Sequence, residues 1–173
     1  MPVAATRGRM FVNDVSPRDG LQSELQFVPT EDKIRLINRL SRTGLAKIEV
    51  TSFTSPKAIP ALADAEAVMH GIERVASVIY AALVPNVRGA ERAVACRADE
   101  LNLVISASET HNLANLRMTR EQSFRHLADT IDFCKGTGAE LNVSLSCSFG
   151  VEPRTLVMAS LTTCRTSRRF LLP

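Results

Sequence analysis

The first residues that could do chemistry lie at the end of an apolar segment near the N-terminus. In Asn13-Asp-Val-Ser-Pro-Arg-Asp-Gly-Leu-Gln22, Arg18 and Asp19 place a guanidinium beside a carboxylate. Such a pair could hold an anion and a cation next to each other. Asp-Gly is also a common turn sequence, so this motif alone is a weak indication of a site.

A second candidate is Glu49, which lies inside the apolar segment Lys47-Ile-Glu-Val-Thr51. An unpaired carboxylate in a buried strand would carry a large desolvation cost. Two interpretations follow from the residues. Glu49 faces outward or lies at a sheet edge, or it points into the functional end of the sheet and pairs with Arg18.

A third polar group, Ser106-Ala-Ser-Glu-Thr-His-Asn112, follows another apolar segment. Lone histidines are more often structural or exposed than catalytic, so His111 is only a minor candidate, and His70 and His126 are assigned no role. The four cysteines have no metal-like spacing, which predicts reduced thiols rather than a disulfide framework or a metal site. They are Cys96, Cys134, Cys147 and Cys164.

Alternating apolar and amphipathic segments must position these groups. Five strands are predicted, over 9–15, 47–51, 77–84, 100–106 and 141–146. Four helices are predicted between them: one capped by Thr30 and ending at Gly44, one over 60–70, one over 88–97, and one opened by the capping box of Thr119 and Gln122. This alternation predicts a parallel sheet whose carboxyl edge gathers the three polar groups. The pattern alone does not decide between two architectures, an open doubly wound sheet and a barrel that is cut short.

Composition excludes several classes of protein. Hydrophobic residues make up 45% and charged residues 23% of the 173 residues, which is ordinary for a soluble globular domain. No apolar run approaches the roughly 20 residues of a membrane span, and the N-terminus does not resemble a signal peptide. Residues 151–173 hold four arginines and one acid, which leaves 17 basic and 17 acidic residues in 1–150. A neutral body argues against a nucleic-acid surface.

Four ordered motifs resemble hydroxymethylglutaryl-CoA lyases over about residues 9–150. They are Ser-Pro-Arg-Asp-Gly-Leu-Gln (16–22), Ile-Glu-Val-Thr-Ser-Phe-Thr-Ser-Pro-Lys (48–57), Val-Pro-Asn-Val-Arg-Gly (84–89) and Ser-Ala-Ser-Glu-Thr-His-Asn (106–112). Pro17 and Leu21 favour the lyases over related synthases. The resemblance implies an α/β fold, an incomplete (β/α)8 TIM barrel of about five parallel strands with helices.

The resemblance also implies an activity and roles for four residues. The family splits 3-hydroxy-3-methylglutaryl-CoA, or a close analogue, into acetoacetate and acetyl-CoA. Arg18 would be catalytic and substrate-binding, and Glu49 would be a catalytic residue that orients Arg18 and the substrate hydroxyl. Gln22 would bind substrate. Asp19 would be a ligand to Mg²⁺ or Mn²⁺, hard cations suited to carboxylate oxygen.

The chain departs from the family in its second half. The family completes its metal site with a His-x-His pair and an asparagine and uses a cysteine on a mobile loop, and this sequence contains no His-x-His. We therefore expect an incomplete metal site and impaired lyase activity. The alternative is a non-catalytic module that binds a CoA thioester or another protein.

The sequence further predicts two regions, a lyase-like part over 1–150 and an atypical basic tail over 151–173. The tail lacks a 2- or 3.6-residue period, which suggests a truncated or frameshifted coding sequence. Deleting it is expected to change the free energy of unfolding by less than about 1 kcal/mol. We also expect an acyl-CoA substrate, no nucleic-acid or membrane partner, a cytoplasmic location, and either a homodimer through an open sheet edge or poor solubility.

Overall fold

A computed structural model describes residues 11–147 as one sheet flanked by helices. The strands are β1 (Asn13–Asp14), β2 (Lys47–Ser52), β3 (Ile79–Leu83), β4 (Glu100–Ser106) and β5 (Glu140–Ser146). The helices are α1 (Thr30–Leu40), α2 (Ala65–Gly71), α3 (Val87–Ala95), α4 (Glu109–Leu116) and α5 (Arg120–Cys134). Two short helical turns, Ser16–Gly20 and Pro60–Leu62, precede α1 and α2.

The order of the strands decides between the two predicted architectures. Each strand pairs in parallel with its neighbour in the chain, in the order β1-β2-β3-β4-β5. A doubly wound sheet instead reverses direction at a switch point, as in the orders 3-2-1-4-5 or 2-1-3-4-5. A sequential order is that of a (β/α)8 barrel. The prediction of an incomplete barrel of five strands is therefore confirmed.

The two faces of the sheet differ in polarity because side chains alternate along each strand. One face packs against the helices and forms the apolar core, which includes Ile48, Val50, Tyr80, Leu101 and Leu103. The opposite face carries polar and charged side chains. We call it the inner face and define it by Lys47, Glu49, Glu100 and Asn102. The core therefore lies between the sheet and the helices, and the inner face lies on the opposite side of the sheet.

The helix ends show where local patterns predict well and where they fail. The capping box is confirmed: Thr119 accepts from the Gln122 amide over 3.2 Å and Gln122 accepts from the Thr119 amide over 2.9 Å. The predicted cap at Thr30 is wrong. Pro29 precedes α1 without a side-chain cap, and the Thr30 hydroxyl donates to Asp64 Oδ2 over 2.8 Å. A partner 34 residues away outcompetes the local cap.

Other boundaries differ by a few residues. The helix predicted over 60–70 is divided into the turn Pro60–Leu62 and α2. Helix α4 is an element that the sequence pattern does not predict, and its first turn is capped by the Ser108 hydroxyl, which accepts from the His111 backbone amide over 3.3 Å. Strand β1 spans only two residues of the range predicted for it.

Two predictions concern residues outside the range that the structure describes. The predicted tail over 151–173 lies outside residues 11–147, as do residues 9 and 10 of the first predicted strand. Within residues 11–147, every helix is too short or too polar to cross a membrane.

Candidate active site

The turn that follows β1 positions the first predicted site residues. Ser16–Gly20 forms a single π-helical turn, a conformation that often occurs at functional sites. The Asp19 amide donates to the carbonyl of Val15 over 2.7 Å, and Asp14 Oδ1 accepts from both the amide and the hydroxyl of Ser16. These bonds hold the backbone of Arg18 and Asp19 at the carboxyl end of β1.

Arg18 connects two carboxylates. Its Nε donates to Glu49 Oε1 over 2.5 Å, and its Nη1 donates to Asp19 Oδ1 over 2.8 Å. The exposed fraction of the side chain is 5% for Glu49, 18% for Arg18 and 64% for Asp19. Of the two interpretations of Glu49, the structure therefore supports the one in which it faces Arg18.

This arrangement suits an arginine that must present a fixed positive charge. A buried carboxylate that accepts from Nε determines the orientation of the planar guanidinium. The other N–H groups of Arg18 donate to no described residue except Asp19. They can therefore face a bound anion or a carbonyl oxygen that gains negative charge, which is the chemistry of an oxyanion site.

Gln22 is exposed and is not part of this cluster. It makes no hydrogen bond to Arg18, Asp19 or Glu49 among the described residues. It lines a cleft of about 390 Å³ between the loop that follows β1 and the loop that follows β2. The other residues of the cleft wall are Glu24, Leu25, Phe27, Ala58, Ile59, Pro60 and Ala61. Gln22 therefore belongs to the wall of this cleft and not to the Arg18 cluster.

The polar group after β4 is largely structural. Asn112 is fully buried, and its Nδ2 donates to Ser123 Oγ over 2.6 Å and to the Met118 carbonyl over 2.8 Å. These bonds join α4 to the start of α5. In residues 11–147, the Nδ1 atom of His111 is the one buried side-chain N or O atom that lacks a hydrogen-bond partner.

An ion pair that was not predicted from the sequence lies on the inner face. Lys47 Nζ donates to Glu100 Oε1 over 2.7 Å, and Glu100 is 5% exposed. The available signal was the glutamate at the head of the apolar strand Glu100-Leu-Asn-Leu-Val-Ile-Ser106, which resembles the position of Glu49 in β2.

The residues present do not make a complete metal site. No group of three His, Cys, Asp or Glu side chains within residues 11–147 could hold a metal ion. Asp19 offers one exposed carboxylate, and its Oδ1 already accepts from Arg18. Hard divalent cations need several oxygen ligands, so Asp19 alone does not fit one.

The strand order and the arginine–carboxylate cluster at the carboxyl edge define a protein of the (β/α)8-barrel class. The model of the HMGL-like family matches residues 9–164, and the chain belongs to this family. The match runs past residue 150 into the segment 151–173 that was predicted to be an atypical tail.

Named relatives agree with this assignment. The chain is 46% identical over 142 residues to hydroxymethylglutaryl-CoA lyase YngG of Bacillus subtilis, covering 82% of this chain and 48% of that protein. It is 41% identical over 159 residues to the cytoplasmic 3-hydroxy-3-methylglutaryl-CoA lyase of Danio rerio, covering 92% of this chain and 48% of that protein. The chain thus spans about half the length of the curated relatives it matches.

Solved structures show the same relationship. An HMG-CoA lyase from Acinetobacter baumannii in complex with coenzyme A and 3-methylmalate superimposes with a TM-score of 0.78 at 52% identity, covering 81% of this chain and 46% of that one. The Bacillus subtilis HMG-CoA lyase superimposes with a TM-score of 0.78 at 46% identity, covering 81% and 47%.

Proposed function

We propose that this chain forms the N-terminal half of a hydroxymethylglutaryl-CoA lyase active site. The reaction is the cleavage of 3-hydroxy-3-methylglutaryl-CoA, or a close analogue, to acetoacetate and acetyl-CoA. The observation that carries the proposal is the Arg18 guanidinium held between the carboxylates of Glu49 and Asp19. Relatives named as HMG-CoA lyases, one of them solved with coenzyme A, support it.

Each step of the proposed reaction places a different demand on the site. A base removes the proton of the tertiary hydroxyl, the carbon–carbon bond breaks to give the ketone of acetoacetate, and the electron pair moves into an acetyl-CoA enolate that is then protonated. Arg18 would lie against the thioester oxygen, where this negative charge develops. A preorganised donor at such a position stabilises the transition state more than the ground state.

Glu49 and Gln22 have supporting parts in the proposal. Glu49 is almost fully buried and accepts from Arg18 Nε, so it would hold the guanidinium in one orientation and orient the substrate hydroxyl. Gln22 would contact the bound acyl-CoA in the cleft that it lines.

The described residues of this chain supply only part of a metal site. Lyases of this family generally depend on a divalent metal ion. In our proposal Asp19 contributes one ligand to Mg²⁺ or Mn²⁺, and the other ligands come from outside residues 11–147. The described residues do not complete the metal site, so the proposed steps are assigned to side chains of this chain.

The absence of a metal cluster within residues 11–147 favours a second candidate function. In this alternative the chain binds a CoA thioester without cleaving it. Purified full-length chain is assayed for acetoacetate from hydroxymethylglutaryl-CoA with and without Mn²⁺, and binding of coenzyme A is measured by calorimetry. Acetoacetate formation that the Arg18→Met substitution abolishes supports the lyase. Binding of coenzyme A without turnover supports the alternative. A chain that shows no turnover and no binding contradicts both functions.

Two further proposals concern location and assembly. Relatives include cytoplasmic and mitochondrial forms, and we propose the cytoplasm for this chain. We also propose that the chain forms a homodimer.

A further inference from the structure

A second ion pair lies on the inner face near the Arg18–Glu49 pair. Lys47 Nζ lies 2.7 Å from Glu100 Oε1, and the exposed fraction of the side chain is 23% for Lys47 and 6% for Glu100. Lys47 precedes Glu49 by two positions in β2, so the two side chains lie on the same face about 7 Å apart along the strand. We call Lys47 and Glu100 the inner ion pair.

The strand register places the two glutamates in one row across the sheet. Glu49 pairs with Ala81, and Ala81 pairs with Glu100. Residues in register on neighbouring parallel strands project to the same face, and two strand spacings amount to about 10 Å. Only the methyl group of Ala81 separates the two carboxylates within this row. Glu140 is next in the row and is exposed.

Two cations and two anions therefore share one largely buried surface, and they can pair in more than one way. In the structure Arg18 binds Glu49, and Lys47 binds Glu100. Without Lys47, Glu100 would be a buried carboxylate without a partner, which repels Glu49 and attracts Arg18. Without Glu100, the ammonium of Lys47 would lie free beside Glu49 and compete with Arg18 for it.

We propose that Lys47 and Glu100 are positioning residues for Arg18: by neutralising each other they keep the Arg18 guanidinium on Glu49. This proposal rests on the proposed function, in which Arg18 and Glu49 are the catalytic pair and the orientation of Arg18 therefore matters. The inner ion pair contacts no substrate in this scheme. It acts by determining which carboxylate the Arg18 guanidinium binds.

The test measures the hydrogen bond between Arg18 and Glu49 directly, by nuclear magnetic resonance, and does not depend on enzyme activity. In ¹⁵N-labelled full-length chain, the Nε–H signal of Arg18 is assigned by its disappearance in Arg18→Lys. A short hydrogen bond to a carboxylate shifts this signal away from those of exposed arginines. We expect Lys47→Met and Glu100→Gln each to move it toward the exposed position, and the double variant Lys47→Met/Glu100→Gln to restore the wild-type position.

Two controls separate positioning from general stability. Lys47→Arg keeps the charge and is expected to keep the signal. Arg42→Met/Glu73→Gln removes an exposed pair, with exposed fractions of 69% and 67%, and is expected to leave the Arg18 signal unchanged. Single variants that fold poorly are measured with trimethylamine N-oxide, which favours the compact state.

The outcomes are distinct. A displaced signal in both single variants with recovery in the double variant supports the positioning role, even if the chain makes no acetoacetate. An unchanged Arg18 signal in either folded single variant overturns it, as does a double variant that fails to restore the signal. Failure of both single variants to fold in the osmolyte also overturns it, because the pair would then serve stability alone.

Discussion

Lys33 Nζ lies 2.6 Å from Asp64 Oδ1, and the two side chains are only 2% and 12% exposed. The same ammonium donates to the Ala61 carbonyl over 2.6 Å and lies 4.2 Å from the centre of the Phe27 ring. Lys33 is in α1, whereas Ala61 and Asp64 precede α2. Through Phe27 and Ala61, the Lys33 ammonium therefore ties together the two loops that form the cleft lined by Gln22.

We expect Lys33→Met to lower the free energy of unfolding by about 3–5 kcal/mol, because it leaves Asp64 as a buried carboxylate without its cation. Urea unfolding of the full-length chain measures this value. Lys135→Met is the matched control: its pair with Asp132 is 69% and 68% exposed, and such pairs contribute less than about 1 kcal/mol. Equal losses in the two variants would show that the buried pair contributes no more than a surface one.

Arg18→Lys is expected to lower kcat for acetoacetate formation by about 10²–10³-fold, the usual cost of losing one oriented donor to a developing oxyanion. Lysine keeps the charge but cannot donate to Glu49 and Asp19 from a planar fork. Steady-state kinetics provide the measurement. Arg42→Lys, at an exposed arginine paired with Glu73, should leave kcat within experimental error. A fully active Arg18→Lys chain would remove Arg18 from the mechanism.

The pair Glu66–Arg92 makes stability depend on pH. The Arg92 guanidinium donates to Glu66 Oε1 over 2.5 Å and lowers the pKa of that carboxyl below its ordinary value of 4.5, against the opposing effect of burial. The folded state therefore binds this proton less readily than the unfolded state does. The stabilisation is fully present above about pH 4.5 and is lost as the pH falls through the lower folded pKa.

We accordingly expect Glu66→Gln to reduce stability near pH 7 by less than about 1 kcal/mol, since the side chain is 41% exposed and the pair is screened. The difference from wild type should shrink as the pH falls below the ordinary pKa. Urea midpoints across this pH range measure it. In an Arg92→Met background the same substitution should have a smaller effect, and an equal effect there would contradict the assigned cause.

Cysteine labelling should separate the buried thiols from the others. Burial raises the pKa of the Cys96 and Cys134 thiols, which are 4% and 5% exposed. A raised pKa and lack of access both slow alkylation. Iodoacetamide near neutral pH, followed by peptide mass spectrometry, should modify partly buried Cys147 well before either of them. Rapid labelling of Cys96 or Cys134 before unfolding would indicate that the helix–sheet contact opens readily.

We expect the chain to associate in solution. Among the described strands, β1 lies at an edge of the sheet and pairs with β2 alone, and an exposed strand edge is a template for another chain. Sedimentation velocity over a range of concentrations should show a dimer or larger species. A monomer at every concentration would contradict the proposed homodimer.

Local pattern was sufficient for much of the fold. All five strands and the capping box of α5 could be read from the sequence, because period-2 and period-3.6 patterns report burial within one element. Helix α4 was missed because its apolar face is weak and its beginning depends on the Ser108 cap. Thr30 was misassigned as a cap because Asp64, far along the chain, binds its hydroxyl.

The sequence by itself determined which residues are candidates, since the motifs around Arg18, Asp19 and Glu49 name the chemistry. Only the tertiary structure decided the strand order, the burial of Glu49 and the partner of each charge. Arg18 and Glu49 are 31 positions apart, and Lys47 and Glu100 are 53 positions apart. No local pattern encodes such pairs, because they form only when parallel strands come into register and remove their charged side chains from water.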